Sequence, residues 1–468
     1  MGSGQQPKYR DTMNKHASEE NQRTLEALLN LKAEEATEVL DAFVLFTDSG
    51  NHPDLVKSLT LLLQKTLKSV DPQPVPGRQY ASEVIVGRSM PRTRGPYVFI
   101  GSGTGGSVCI SRLAAQAEFA EELNGFIFFL TSCYAAGAVL KSMVGDSLAV
   151  PTDAEIHLDI PRLIGDPSTF TKKIDLGDCY LAGAGAIGNA FLYALQYFHI
   201  SGDLCIADPD TVSGGNLNRC LFFTDDDIDE KKVDALVTRA QPLFPELRLR
   251  AFPDVIKKLP EAETVGPWLP RLIVAVDSRR ARRHLQSEVP REVFDASTSV
   301  ISEVVLHHNH QPLDGKACMA CIYYRDEVEQ AHERHLAEAL GVTLDQVTLL
   351  FVDDEAEQAI KRKYPHLTER LVGLSYDTLF KQLCGQGKLT TEGETRVLAP
   401  LAFVSALAGA ILALTLARHL SGVPTCNHWR LSPWSNPNFR LQKDPGTSGN
   451  CELCNDAIFS TIAAGLWR

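Results

Sequence analysis

The most constraining feature of this 468-residue chain is a glycine turn between an apolar run and a helix-forming run. The turn reads Gly183-Ala184-Gly185-Ala186-Ile187-Gly188, and it directly follows Cys179-Tyr180-Leu181-Ala182. Glycines at these spacings allow a tight turn and a close approach of the backbone to a phosphate group at a helix N-terminus. The pattern predicts a buried strand, the turn and a helix over residues 189–198, which together begin a doubly wound parallel α/β sheet.

Further apolar runs continue this alternation of strands and helices. Residues 204–207, 249–252 and 272–276 are predicted strands, and the first and last of them end at Asp208 and Asp277. The carboxyl ends of parallel strands meet at one edge of a sheet, so both carboxylates are predicted beside the glycine turn. Asp208 follows Gly188 by twenty residues, a spacing that places a carboxylate against ribose hydroxyls.

Two cations follow the first acidic pair, Asp208 and Asp210. Arg219 and Lys232 could neutralise a triphosphate and the charge that develops at its α-phosphorus, while Asp277 is placed to bind Mg²⁺. An NAD dehydrogenase would share the glycine turn, and each charged residue alone could form a surface ion pair. Their joint spacing after one glycine turn favours an ATP site.

A known family carries a signature that resembles this region. The run Ala207-Asp208-Pro209-Asp210-Thr211-Val212-Ser213-Gly214-Gly215-Asn216-Leu217-Asn218-Arg219 is similar to that of ubiquitin-activating enzymes. Their bacterial relatives of the ThiF and MoeB type, the adenylyltransferases of thiamine and molybdopterin synthesis, share it. The resemblance covers residues 173–321 and 396–455. Cys220 stands where the family has glutamine, and Gly214-Gly215 replaces bulkier residues.

The resemblance implies a Rossmann-like adenylation domain that uses ATP and Mg²⁺ to adenylate the C-terminal glycine of a ubiquitin-like protein. It also implies that an arginine from a neighbouring half reaches the triphosphate, and the sequence does not rank Arg10 against Arg23 for this role. The predicted nucleotide-site residues are Gly183, Gly185, Gly188, Asp208, Asp210, Asn216, Arg219, Lys232 and Asp277, and the predicted catalytic residues among them are Arg219, Lys232 and Asp277.

Four cysteines form two Cys-x-x-Cys pairs, Cys318-Met319-Ala320-Cys321 and Cys451-Glu452-Leu453-Cys454. This spacing is typical of structural Zn²⁺ sites, in which four thiolates close the coordination shell. Two unrelated pairs of buried thiols are the alternative. The family relatives carry such a paired site in matching places, which favours zinc.

An acyl adenylate is often transferred to a thiol, and Cys384 and Cys426 are the two candidates. Cys384 ends a predicted helix beside a glycine-containing loop, and it precedes the apolar run as the catalytic cysteine does in the family. Cys426 has His428 as a neighbour, which could favour a thiolate. We predict Cys384 as the catalytic acceptor, and an inert structural role for both is the alternative.

The resemblance and the sequence patterns together predict that the chain is divided into four segments. They are a degenerate, inactive N-terminal α/β module (1–165), the first part of the adenylation domain (166–321), an inserted helical catalytic-cysteine domain (322–394) and the second part of the adenylation domain (395–468). The N-terminal module could pack on the active half as an intrachain pseudo-dimer, or two chains could form a homodimer. No internal repeat is evident in the sequence.

Local patterns predict several further elements. Residues 18–70 show helical spacing for two helices, with Phe43 in the first. Strands are predicted over 84–86, 97–100 and 126–130, a helix from the turn Gly101-Ser102-Gly103-Thr104-Gly105-Gly106 to Leu123, and another helix over 135–141. The run His307-His308-Asn309-His310 is predicted as a polar hairpin turn rather than a metal site. Charged helices are predicted over 326–340, 353–363 and 367–383.

Bulk properties limit the partners. The formal net charge of −12 argues against a nucleic-acid-binding protein, and eleven cysteines without an apolar signal segment indicate reduced thiols in a cytoplasm.

Residues 397–417 carry no charge and could span a bilayer, but their Ala, Gly and Ser content equally suits a buried core helix. We therefore expect no membrane partner.

The function that follows is activation of a ubiquitin-like protein, thioester formation on Cys384 and transfer to a conjugating-enzyme-like acceptor, in a bacterial conjugation system. A sulfur-carrier adenylyltransferase of the thiamine or molybdopterin type is one alternative. A non-catalytic nucleotide-binding scaffold is another.

Overall fold

The structure is a computed structural model, and it describes residues 14–48, 50, 52–119, 123–148, 150–259, 268–299, 302–385 and 399–467. Two β-sheets organise the chain, one of six strands and one of seven. The strands are β1 Phe43–Asp48, β2 Ser69–Asp71, β3 Ser82–Val86, β4 Tyr97–Ser102, β5 Val108–Ser111, β6 Glu155–Leu158, β7 Lys173–Ala182, β8 His199–Ala207, β9 Leu247–Phe252, β10 Arg271–Val274, β11 Glu292–Ser299, β12 Glu303–His310 and β13 His428–Leu431.

Helices cover both sheets and form a separate cluster between β12 and β13. The described α-helices are Lys15–Leu29, Ala33–Leu40, Pro53–Gln64, Gly125–Val144, Ile160–Ile164, Ala186–Leu195, Lys232–Ala240, Arg279–Ser287, Met319–Ile322, Glu327–Leu340, Leu344–Thr348, Asp354–Lys363, Tyr376–Gly385, Ala402–Leu420 and Ala457–Leu466.

The second sheet has the order β13-β12-β11-β10-β7-β8-β9. The five strands from β11 to β9 pair in parallel, and β12 and β13 add two antiparallel strands. The chain reverses its direction of winding between β7 and β10, which leaves a crevice at their carboxyl ends. The predicted Rossmann-like α/β fold is confirmed, with the glycine turn at this crevice.

The first sheet repeats this topology without an equivalent of the edge strand β9. Its order is β2-β1-β3-β4-β5-β6, in which β2, β1, β3 and β4 are parallel and β5 and β6 are antiparallel. A helix connects β1 to β2 as another connects β7 to β8. The chain therefore contains two similarly wound α/β halves, although the sequence shows no evident repeat.

Two long apolar helices occupy matching places in the two halves. Gly125–Val144 lies between β5 and β6, and Ala402–Leu420 lies between β12 and β13. Both are long and apolar enough to cross a membrane, yet 78% of each apolar window is buried inside the protein. They pack on each other, and a Cβ added at Gly137 would lie 3.3 Å from the Phe403 ring. The described part of the predicted apolar run therefore belongs to a core helix, Ala402–Leu420.

Three N-terminal predictions were wrong. Residues 126–130 belong to the helix Gly125–Val144, which begins after the cap Asn124, whose side chain accepts a hydrogen bond from Phe126 N–H. This segment is buried on all sides, so its apolar run carries no helical period. Phe43 starts β1 rather than ending a helix, and residues 18–70 contain three helices and two strands.

The third error concerns the first glycine turn. Instead of opening a helix, it closes a hairpin in which Ser102 pairs with Val108. Gly105 and Gly106 have φ angles of 64° and 77°, the left-handed conformation that reverses the chain.

The histidine run was also misassigned. His307 and His308 lie within β12, and burial lowers the pKa of His307 to about 4 and that of His308 to about 3. They are neutral core residues of a strand rather than a polar turn.

Two of the charged helices predicted between β12 and β13 are confirmed, whereas the third begins at Tyr376 and not at residue 367. The helices Glu327–Leu340, Asp354–Lys363 and Tyr376–Gly385 share their own apolar core, which includes Leu336, Ile360 and Leu379. The predicted end of this insertion, residue 394, lies outside the described residues.

Candidate nucleotide site and cysteine cluster

The glycine turn after β7 depends on its glycines for different reasons. Gly183 has a φ of 105°, and a Cβ there would lie 2.6 Å from the Ala275 carbonyl oxygen at the end of β10. At Gly188 a Cβ would lie 2.2 Å from the Gly183 carbonyl oxygen. Gly185 instead faces open space and precedes the first residue of the helix Ala186–Leu195. The turn thus presents a helix N-terminus to an empty volume, a geometry suited to phosphate.

Asp208 follows β8 and is fixed by the turn itself. Its carboxylate accepts hydrogen bonds from Ala184 N–H at 2.8 Å and Asp210 N–H at 2.9 Å. Burial raises the pKa of Asp208, and the positive charge of Lys232 opposes that rise. The carboxylate is therefore held rigidly at the edge of the sheet where ribose recognition was predicted.

Lys232 begins the helix Lys232–Ala240 and returns to the same edge. Its Nζ lies 2.7 Å from Asp210 Oδ2, and its backbone N–H donates to the Asp210 carbonyl at 3.0 Å. Burial favours loss of its proton, but Asp208 and Asp210 outweigh burial and raise the pKa of Lys232 overall. The lysine carries its charge at pH 7.

Asn216 lies on a 3₁₀ turn, Gly214–Asn218, that follows β8, and Arg219 is the cap residue at the end of this turn. Asn216 caps this turn, because its side chain accepts a hydrogen bond from Ser213 N–H at 3.0 Å. Arg219 Nη1 donates to the Gly215 carbonyl at 3.1 Å and to Asn218 Oδ1 at 2.7 Å. These bonds hold the guanidinium on the wall of the crevice.

The first helix of the chain packs directly on this turn. Asn218 Nδ2 donates to Asn21 Oδ1 at 2.9 Å, and a Cβ at Gly214 would lie 3.0 Å from His16 Cβ. The paired glycines that depart from the family signature thus leave room for the helix Lys15–Leu29. Arg23, on this helix, lines the crevice and pairs with Glu20 at 2.8 Å. Arg10 lies outside the described residues.

Asp277 stands three residues after β10 and is exposed to solvent. A buried network supports its surroundings. Arg282 donates to Asp295 Oδ1 at 2.8 Å, and the Tyr323 hydroxyl donates to Asp295 Oδ2 at 2.6 Å. The guanidinium of Arg282 also interacts electrostatically with Asp277. The carboxylate of Asp277 therefore faces the cleft beside a fixed positive charge.

One cleft of about 1750 Å³ joins these groups and continues toward the helical insertion. Of the predicted nucleotide-site residues, Gly188 alone does not line it, since it packs behind the turn. The predicted residues that line the cleft are Gly183, Gly185, Asp208, Asp210, Asn216, Arg219, Lys232 and Asp277.

The two Cys-x-x-Cys pairs meet in space. The sulfur atoms of Cys318, Cys321, Cys451 and Cys454 lie within 4.8 Å of one another, with four of the separations between 3.3 and 3.7 Å. A tetrahedral Zn²⁺ with Zn–S bonds of about 2.3 Å needs sulfurs roughly 3.8 Å apart. The four residues therefore fit zinc, and within the described residues they form the one side-chain group of this kind.

The two candidate acceptor thiols differ in what the structure says of them. Cys384 belongs to the helix Tyr376–Gly385, and its side chain lies outside the described part of the chain. Cys426 is half-buried and does not line the cleft. Burial raises the pKa of the Cys426 thiol, and Asp444 adds to that rise, so it is protonated at pH 7.

Sequence reasoning missed two parts of the site. Glu20 and Thr24 line the cleft from the N-terminal helix, a contact that no local pattern indicates. Asp295 was also missed. It follows the apolar pair Val293-Phe294 within β11, and a carboxylate that is buried in a strand must be paired.

Comparisons with known proteins place this architecture in a family. The model of the ThiF family matches residues 158–452, which is more than half of the chain. Protein y4jF of Sinorhizobium fredii (strain NBRC 101917 / NGR234) is 26% identical over 437 residues, covering 85% of this chain and 80% of that protein. Ubiquitin-activating enzyme E1 2 of Triticum aestivum is 30% identical over 129 residues, which cover 26% of this chain and only 12% of that enzyme.

Solved structures with similar folds are remote. E. coli MccB with MccA-N7isoASN has a TM-score of 0.37 and 14% identity, covering 77% of this chain and 99% of MccB. E. coli tRNA N6-threonylcarbamoyladenosine dehydratase, TcdA, has a TM-score of 0.30 and 15% identity, covering 56% of this chain and 92% of TcdA. The assignment therefore depends on the family match and on the sequence relatives. The chain belongs to the ThiF family and is adenylyltransferase-like, related to the ubiquitin-activating enzymes.

Proposed function

We propose that the protein adenylates the C-terminal glycine of a ubiquitin-like protein, holds the acyl group as a thioester on Cys384 and transfers it to a conjugating-enzyme-like acceptor. The observation that carries this proposal is the single cleft that joins the glycine turn, Asp208, Lys232 and Asp277 and extends to the helical insertion.

The charge distribution of the cleft supports ATP as the co-substrate. Asp208 is positioned for ribose hydroxyls, and the N-terminus of the helix Ala186–Leu195 for phosphate. Lys232 and Arg219 place two cations beyond them, which a nicotinamide cofactor does not require. Asp277 would hold Mg²⁺, which when bound would neutralise phosphate charge.

Adenylation needs few protein groups. A carboxylate oxygen of the terminal glycine attacks the α-phosphorus, an O–P bond forms, and the bond to the bridging oxygen breaks as pyrophosphate leaves with the electron pair. Lys232 and Arg219 stabilise the charge on the phosphate oxygens in the transition state. The rigid anchoring of both cations lowers the cost of orienting them.

Transfer to sulfur is the second step of the proposed reaction. The Cys384 thiolate attacks the acyl carbon, a C–S bond forms, and the C–O bond to AMP breaks as AMP leaves with the electron pair. The thiol proton passes to solvent. The burial of Cys426 away from the cleft favours Cys384 as the acceptor.

The N-terminal half is proposed as an inactive partner within one chain. At the end of β1 the Asp48 carboxylate accepts hydrogen bonds from Gly50 N–H at 3.0 Å and His52 N–H at 2.7 Å. The Asp48 carboxylate thereby occupies the N-terminus of the helix Pro53–Gln64. The corresponding helix N-terminus in the second half is the proposed phosphate site. With the matching topology of the two sheets, this supports an intrachain pseudo-dimer and the four-segment organisation 1–165, 166–321, 322–394 and 395–468.

The cellular setting is also part of the proposal. The acidic chain and its buried apolar helices suit a cytoplasmic protein of a bacterial conjugation system that binds neither nucleic acid nor membrane. The cysteine cluster would hold a structural zinc ion.

The experiment traces a labelled ubiquitin-fold carrier that ends in glycine. Incubation with ATP should give a carrier–enzyme adduct that reducing thiols remove. Cys384→Ala should abolish the adduct while adenylation continues, and Cys426→Ala should leave it unchanged. An adduct that persists without Cys384 would refute the thiol assignment, and adenylation without any adduct would favour a sulfur-carrier adenylyltransferase.

A further inference from the structure

The helix Arg279–Ser287 links the nucleotide site to the helical insertion. It begins two residues after Asp277, with Ser278 as its cap. Its first turn contacts the helix Tyr376–Gly385, and Arg283 at its middle pairs with Glu329 at 3.3 Å and Glu333 at 3.2 Å on the helix Glu327–Leu340. Two different helices of the insertion are thus attached to one short element.

The first of these attachments converges on Asp377. The Ser278 hydroxyl donates to Asp377 Oδ2 at 2.9 Å, and the Arg280 guanidinium pairs with the same oxygen. His332 Nε2 lies 3.1 Å from Asp377 Oδ1. Arg280 and Asp377 are only 2% and 7% exposed. Removing one charge of such a buried pair leaves the other uncompensated, so the geometry of the pair is strongly enforced.

Asp377 also has a defined place relative to the proposed thiol. It is the second residue of the helix Tyr376–Gly385, and Cys384 follows seven residues later. Residues seven apart lie two turns along the same side of an α-helix. His332 and Phe380, on either side of this attachment, both line the cleft that holds the nucleotide-site residues.

We infer that Asp377 is a positioning residue for acyl transfer, because it fixes the helix that carries Cys384 to Ser278 and Arg280 beside Asp277. This inference rests on the proposed function. In the step concerned the Cys384 sulfur bonds to the acyl carbon, the C–O bond to AMP breaks with its electrons leaving on AMP, and the thiol proton goes to solvent. Asp377 takes no part in these bond changes. Its role is to fix the position of the helix Tyr376–Gly385 while they occur.

The test separates the two half-reactions in the full-length protein. A ubiquitin-fold carrier that ends in glycine is the probe, pyrophosphate exchange reports adenylation, and single-turnover gels report the thioester. Asp377→Asn should slow thioester formation about tenfold or more and leave exchange within about twofold. Asp377→Glu, which keeps the charge, should restore part of the rate.

Glu333→Gln is the matched control, since Glu333 is 1% exposed and pairs with Arg283 on the same short helix but at the other attachment. It should leave both rates within about twofold. His332→Ala is a milder variant because His332 is 42% exposed, and it should slow only the thioester step, by about threefold.

Thioester formation by Asp377→Asn at the wild-type rate would overturn the inference. Equal slowing by Asp377→Asn and Glu333→Gln would also overturn it, because a general loosening of the insertion would then explain both. A wild-type protein that forms no thioester would overturn the proposed function together with this inference, whereas the first two outcomes leave that function intact.

Discussion

Asn218 donates a hydrogen bond to Asn21 across 2.9 Å, and both side chains are almost completely buried. The bond joins the turn that carries Arg219 to the first helix of the chain. Because an unpaired buried amide costs about 1–3 kcal/mol, this contact and the fit of Gly214 against His16 hold the helix on the cleft wall. The cleft is therefore lined by residues from both halves.

Arg23→Ala should weaken ATP use, since it removes a cation from the cleft wall. We expect the KM for ATP to rise about tenfold with little change in melting temperature. Lys15→Ala is the control, because Lys15 is an exposed cation on the same helix whose side chain is 85% exposed. Equal KM values for the two variants would show that Arg23 does not contact the nucleotide.

The glycine turn offers a contrast between two neighbouring substitutions. Gly185→Ala adds a methyl group to open space, so it should leave stability unchanged and reduce ATP binding. Gly188→Ala places its Cβ 2.2 Å from the Gly183 carbonyl oxygen, and overpacking of this kind costs about 1–3 kcal/mol. Urea denaturation and calorimetric titration with ATP distinguish the two. Unimpaired ATP binding by Gly185→Ala would place the phosphates elsewhere.

The cysteine cluster should bind one zinc ion per chain. Elemental analysis of purified protein should detect it, and Cys451→Ser should remove most of it and lower the melting temperature, because metal affinity contributes to folding. Cys426→Ser, which alters a cysteine outside the cluster, should retain the metal. Wild-type protein that folds normally without zinc would contradict a structural role for the metal.

Lys65 should make stability depend on pH in the alkaline range. Burial lowers its pKa from 10.5 to about 8, against the opposing charges of Cys220 and Asp225. Between these values the unfolded chain binds the proton and the folded chain does not, so stability increases as the pH rises from about 8 to 10.5 and is lower below pH 8.

Below pH 8, Lys65→Met should therefore have a higher free energy of unfolding than wild type, by at most about 3 kcal/mol. This advantage should disappear by pH 10.5. Urea unfolding across this range measures it. Lys68→Met is the control, because Lys68 is 44% exposed. Parallel curves for wild type and Lys65→Met would show that the lysine keeps its ordinary pKa.

The sequence predicted the second half of the chain well because its signals are local. The strand before Gly183, the turn and Asp208 at the next strand end follow from short-range backbone rules. The spacing within each Cys-x-x-Cys pair indicated a metal site, and the family resemblance implied that the two pairs share it.

The first half was harder for physical reasons. The segment around Phe126 is buried on every side, so helix and strand patterns look the same there. The contact of Asn21 with Asn218 spans 197 residues, and no local pattern encodes it. The attachment of Asp377 to Arg280 is a tertiary contact of the same kind.

The central claim is that this cleft activates a terminal glycine with ATP. Its most direct test measures ATP–pyrophosphate exchange with each ubiquitin-fold protein ending in glycine that the source genome encodes. At least one carrier should support exchange, and exchange should disappear when its terminal glycine is deleted or when the enzyme carries Asp277→Ala. The claim would be contradicted if no carrier supported exchange, or if exchange continued without the terminal glycine.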